Sequence, residues 1–191
     1  VGRGYYVTRF DNRDAGRSTH MTYRPANPVA MFRGGDPRHQ YHLGDMARDT
    51  VGLMDALGYA DVHLVGVSMG GMIAQTVAAH HPGRVRTLTS IMSTTGAPRL
   101  GRPALSTWRR MLMSKPPRTR AEEMDRAAVI FAHIGSHGLP FDEAAVRTYA
   151  GTAYDRDPSP AGIVRQLTGI FASGDRTAEL APFPGFHLDK G

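Results

Sequence analysis

Residues Val62 to Val67 form a short, nearly unbroken apolar run, and the chain passes from it without a linker into Gly66-Val67-Ser68-Met69-Gly70. A helical pattern over Met69 to His80 follows at once, closed by Pro82 and Gly83. A run that short and that apolar predicts a parallel strand covered on both faces. The next β-branched stretch, Val85 to Met92, predicts a second strand. Upstream, Leu43, Met46, Ala47, Val51, Met54 and Leu57 recur at spacings of three and four, with Gly58 at the stop position. That spacing predicts an amphipathic helix over 43–57. Tyr5 to Phe10 is β-prone and is stopped by the turn formers of Asp11 to Ser18, so a further strand and loop are expected there. Strand, helix, strand, helix, strand is the order of an α/β layer with parallel strands and flanking helices.

Beyond residue 96 the rhythm breaks. Leu105–Met113, Arg120–Phe131, Glu143–Thr152 and Ala161–Phe171 read as helices separated by proline- and glycine-containing breaks. Three parts are expected: an α/β core over 1–96, an inserted helical segment over 97–172, and an irregular tail over 173–191. Pro25 to Pro37 reads as an irregular excursion.

Totals bound the class. With 191 residues, 41 % hydrophobic and 21 % charged, the chain suits one globular unit. The formal charge of +6 is mostly scattered. Arg99 to Arg120 is basic without a carboxylate, but it lacks the interleaved aromatics of a single-strand binder and reads as a solvated face, so no nucleic-acid partner is expected. Zero cysteines exclude disulfides, cysteine-zinc sites and thiol catalysis, which suits a cytoplasmic setting. No run approaches the length of a membrane span and no signal-peptide pattern opens the chain, so no membrane partner is expected. The first residue is Val, which suggests a cut from something longer.

The chemistry concentrates at Ser68. A serine on a sharp strand-to-helix turn is held in strained geometry with its hydroxyl exposed, and small residues two before and two after it permit the close crossing. The N–H of Met69, at the helix start, is placed to donate to an oxyanion, aided by the helix dipole. The competing expectation is a glycine-rich turn with Ser68 as a helix cap. A phosphate loop is a weaker reading still, since no Gly-Lys-Ser/Thr follows and no G-x-G-x-x-G occurs.

At these residues the sequence resembles the α/β-hydrolase superfamily, and within it the lid-bearing serine esterases of the anthracycline methylesterase type. Asp11-Asn12-Arg13-Asp14-Ala15-Gly16-Arg17-Ser18 resembles the family's D-x-R-G-x-G-x-S loop, with Asp14 where glycine is commoner. Asp49 to Thr95 resembles the helix, nucleophile strand, elbow, helix and following strand. The resemblance implies a partial α/β-hydrolase fold with an inserted helical lid, Ser68 as nucleophile through an acyl-enzyme, Met69 N–H as oxyanion donor, a small-molecule ester substrate and no cofactor. Serine rather than aspartate suits attack on a carbonyl rather than alkyl displacement. Trp108, Met111, Met113 and Phe131 are candidates to line an apolar pocket, with packing inside the helical segment as the stronger competing expectation. A perhydrolase, haloperoxidase-like or C–C bond hydrolase, or an inactive binding protein on the same fold, are the alternatives. The oligomeric state is left open.

The family's acid and histidine follow the serine, and here only Asp175 and His187 stand in that order near the end. They are 12 positions apart, whereas a helix and a strand between them need about 20 residues or more. Both therefore read as loop and tail. His63, His80, His81, His133 and His137 read as structural or exposed, and His39 and His42 precede Ser68. No metal-ligand spacing occurs. The loop that supplies a second oxyanion donor is also absent, and the Tyr5 and Val62 strands would flank an empty lane of the sheet. The resemblance thus implies a fragment of a hydrolase of about 270 residues, unstable or inactive alone.

Overall fold

The structure, a computed structural model, describes residues 3–24, 41–98, 101, 104–113, 116–136 and 138–182. The described elements, in chain order, are α1 (Leu43–Ala56), β1 (Val62–Val67), α2 (Met69–His80), a 3-10 turn (Pro82–Arg84), β2 (Val85–Ile91), α3 (Leu105–Met113), α4 (Arg120–Ile134), α5 (Glu143–Arg156), α6 (Pro160–Ala172) and the short α7 (Thr177–Leu180). They group into two compact units. One comprises Val1–Met21 with Pro103–Ile163, the other Thr22–Arg102 with Val164–Gly191.

The second unit holds the α/β layer. β1 and β2 pair in parallel, Leu64 opposite Leu88 and Val67 opposite Ile91, with an irregularity between Val62 and His63. Helix α2 packs across both strands and α1 packs on α2. The apolar stripe of α1 (Leu43, Met46, Ala47, Met54) and the inner face of α2 (Ile73, Ala74, Val77, Ala78) form the buried core with Val85 and Leu180. Gly58 ends α1 as expected, at φ +72. Tyr59 N–H reaches Met54 O at 2.9 Å and Gly58 N–H reaches Asp55 O at 3.1 Å, the paired bonds that satisfy carbonyls at a helix end.

Two expectations are corrected. Tyr5–Phe10 forms no strand: among the described residues the sheet has two strands, and this segment is not one of them. A β-prone segment becomes a strand only where a partner ladder exists, and partners are non-local. Nor is β1 covered on both faces. Its exposure alternates, with Val65 at 69 % and Val67 at 51 %, and among the described residues the helix packed on it is α2.

In the first unit α4 and α5 pack through small residues, Ala127 and Ala128 against the stretch that holds Ala150. Thr119 caps α4 by accepting from Glu122 N–H at 3.2 Å, and Asp142 caps α5 by accepting from Ala145 N–H at 2.9 Å. Arg120 pairs with Asp155, and Arg147 with Asp125 and Glu143. No described helix is long and apolar enough to cross a membrane.

The loop Asp11–Ser18 also belongs to this unit and winds around one carboxylate. Asp11 accepts from Arg17 N–H at 3.0 Å and pairs with Arg156, while Ser18 Oγ donates to Asp11 O at 2.6 Å. The Arg17 N–H and the Arg156 guanidinium hold the Asp11 carboxyl below its ordinary range. Asp14 sits at φ +65, the conformation for which glycine is usual and aspartate among the better-tolerated alternatives. It also accepts from Met21 N–H at 2.8 Å, which a glycine could not do.

Candidate active site

β1 ends at Val67, and the next residue turns the chain through an unusual conformation: Ser68 has φ +53 and ψ −119. An L-residue at that position costs about 1–3 kcal/mol and persists only where its surroundings impose it. Here three contacts do so. Ser68 N–H donates to Ile91 O on β2 at 2.9 Å, and Ser68 O accepts from Met72 N–H at 3.1 Å and from Ser93 Oγ at 2.9 Å. The serine is exposed. Its side chain makes no capping bond to α2, so the helix-cap alternative does not hold.

The glycines around it divide the work unevenly. A Cβ on Gly66 would lie 2.2 Å from Gly70 O, and one on Gly71 would lie 2.7 Å from Ser90 Oγ. Gly70, the second glycine of the pentapeptide, has nothing within 4 Å of a would-be Cβ. The backbone of Gly70 is what crowds Gly66, and Gly71 rather than Gly70 needs to be small to let α2 approach the strand-end loop.

Met69 is the first residue of α2, and the first N–H groups of a helix have no partner within it. The dipole of this 12-residue helix adds positive potential at the same end. Strand end, strained serine and helix start therefore bring together an exposed hydroxyl and a helix-terminal N–H, the arrangement on which an oxyanion can be held.

Behind the turn lies a buried polar cluster that sequence reasoning did not identify. Arg176, 4 % exposed, donates from Nη2 to Thr94 O at 2.9 Å and to Gln75 Oε1 at 3.3 Å. Gln75 Nε2 in turn donates to Ser90 Oγ at 2.9 Å. Arg176 N–H reaches Thr95 O at 2.8 Å, and Gly96, at φ +89, passes so close to Gly174 that a Cβ would lie 2.1 Å from its carbonyl oxygen. Burial pushes the guanidinium pKa down, opposed by the charges of Glu179 and Asp175, and Nε is buried without an acceptor among the described residues. The cluster ties the loop carrying Ser93 to the 174–177 turn.

The expected acid and base fare differently. Asp175 accepts from Thr177 N–H at 2.9 Å at the start of α7, and its hydrogen bonds to Thr177 hold its carboxyl below the ordinary range. His187 and the remainder of the 183–191 tail lie outside the described residues, as do His39 and His137. Of the other histidines, His63 engages Thr87 at 2.8 Å, His80 engages Glu179 at 3.0 Å and His133 engages Thr107 at 3.0 Å. His42 precedes α1 and His81 ends α2. Met113 and Phe131 are exposed, and the side chains of Trp108 and Met111 lie outside those described. No group of three or more candidate metal ligands occurs among the described residues.

A parallel strand that ends in a left-handed serine against a helix N-terminus defines the class of the α/β-fold hydrolases. The model of the alpha/beta hydrolase fold family matches residues 2–129, and the chain belongs to that family. Rhodomycin D methylesterase DauP of Streptomyces sp. (strain C5) is 27 % identical over 164 residues, which cover 75 % of this chain and 50 % of that protein. A hydrolase from Pseudomonas aeruginosa PA01 superposes with a TM-score of 0.55 at 22 % identity, over 92 % of this chain and 57 % of the other. Est816, described as an N-acyl homoserine lactone degrading enzyme, gives a TM-score of 0.52 at 20 % identity, over 87 % and 56 %. The chain spans about half the length of the methylesterase relatives it matches.

Proposed function

We propose that the protein is a serine hydrolase of carboxylic esters in which Ser68 is the nucleophile and the Met69 N–H one oxyanion donor. The observation that carries this reading is the conformation of Ser68: a strained, exposed, non-capping serine at a strand-to-helix turn has no folding purpose that glycine would not serve better. Family membership and the methylesterase relatives support an ester as substrate class.

In the proposed reaction, Ser68 Oγ bonds to the ester carbonyl carbon as its proton passes to a base. The carbonyl oxygen becomes an oxyanion facing the Met69 N–H. Collapse expels the alcohol, which takes up the proton, and leaves an acyl-serine that water hydrolyses to acid and free serine. No cofactor enters this chemistry. The helices of 97–172 act in this reading as the lid that sets substrate choice, and a small-molecule ester in the cytoplasm is the proposed partner.

Covalent labelling tests the proposal. Full-length protein treated with a fluorophosphonate should carry one adduct on Ser68, located by peptide mass spectrometry, and S68A should neither label nor hydrolyse p-nitrophenyl acetate. A folded wild type that resists labelling, or an S68A variant that keeps esterase activity, would overturn it.

A further inference from the structure

We infer that Met92 is a specificity-determining residue, its side chain meeting the aliphatic acyl part of an ester bound at Ser68; this rests on Ser68 being the nucleophile. β1 and β2 run parallel with Val67 opposite Ile91, and the residue after each of these, Ser68 and Met92, has φ +53. Met92 is pinned beside the serine by its own neighbours. Ile91 O receives the Ser68 N–H and Ser93 Oγ donates to Ser68 O, each at 2.9 Å. Adjacent strands lie about 4.8 Å apart, so the Met92 backbone stands next to the elbow.

The conformation is costly for a methionine, by about 1–2 kcal/mol, and glycine or asparagine would adopt it more readily. Burial does not repay the cost, since the side chain is 61 % exposed. A strained apolar residue left in the open beside a candidate nucleophile has a use other than folding. The long, unbranched, polarizable methionine side chain adapts to irregular aliphatic surfaces. Val67 and Ile91, which directly precede Ser68 and Met92, are also exposed, so both strand ends carry exposed apolar side chains next to these residues in the chain. That surface suits an aliphatic acyl chain better than a charged one.

The test uses the full-length protein as wild type, M92G, M92N, M92F and S68A, with p-nitrophenyl acetate and octanoate. M92G and M92N both accept positive φ and should melt at or above the wild-type temperature. They should lower the octanoate-to-acetate ratio of kcat/KM by about 10-fold through KM on octanoate, and M92F should shift preference toward acetate. A ratio within about twofold of wild type in both M92G and M92N, or their failure to fold, overturns the role of Met92 alone. Turnover surviving in S68A, or absent from wild type, overturns the nucleophile reading and this inference with it.

Discussion

Gly66 and Gly70 approach so closely that a Cβ on the first would stand 2.2 Å from the carbonyl oxygen of the second, whereas a Cβ on Gly70 would meet nothing within 4 Å. One pentapeptide therefore holds two glycines with opposite tolerances. Gly66→Ala sets a methyl against backbone that cannot rotate away, so β1 or α2 must shift, at a cost of about 2–3 kcal/mol. Gly70→Ala adds a helix-favouring residue in open space and should change stability by about +0.5 to +1 kcal/mol. Urea unfolding of the two variants decides the matter, and equal losses would contradict the geometry.

Replacing Ser68 by glycine separates strain from chemistry. The mirror-image extended region at φ +53 and ψ −119 is freely open to glycine. The variant should gain about 1 kcal/mol in unfolding free energy, the relief of strain exceeding the entropy that glycine adds to the unfolded chain. It should lose all fluorophosphonate labelling. A thermal melt and a labelling gel read both effects on one sample, and a loss of stability would mean the serine contributes packing that its exposure does not suggest.

How much of the fold and the site can be read from the residues alone follows from which interactions are local. Met69–His80 and Leu105–Met113 appear with the expected bounds, because helix periodicity and terminators such as Pro82 act within a few residues. The elbow is legible because glycine, serine and glycine meet a strand end and a helix start in one short segment. Tyr5–Phe10 is not, because its β-propensity says nothing of whether a partner strand lies beside it. The one-sided burial of β1 likewise depends on what packs against the sheet. Arg176 is invisible for the same reason: Ser173-Gly174-Asp175-Arg176 reads as a surface turn, yet the loop after β2 closes over the arginine from 82 residues away.

Arg176 should be among the costliest side chains to remove. Arg176→Met leaves the Gln75 carbonyl and the Thr94 carbonyl without their buried donor, an expected loss of about 2–4 kcal/mol. Arg176→Lys keeps a charge but not the forked donor geometry and should recover less than half of that. Chemical denaturation gives both values. A methionine variant as stable as wild type would show that the orphaned Nε and the desolvated charge outweigh the two bonds from Nη2.

Asp11 makes the stability of its loop depend on pH, with a sign fixed by the direction of its shift. Arg17 N–H and Arg156 hold the folded-state carboxyl below the ordinary value of 3.8, so the folded state binds its proton less tightly than the unfolded chain. The stabilisation is therefore fully present above pH 3.8 and is lost as pH falls through the lower, folded-state value. Asp11→Asn keeps the shape and an acceptor oxygen but removes the charge. It should cost about 1–2 kcal/mol at pH 7, and the gap to wild type should close on acidification below that point. Unfolding curves for the two proteins from pH 7 to pH 2.5 measure the difference directly. A gap that stays constant across that range would assign the cost to lost hydrogen-bond geometry, and one that widens with acid would mean that the folded state binds the Asp11 proton more tightly than the unfolded chain does.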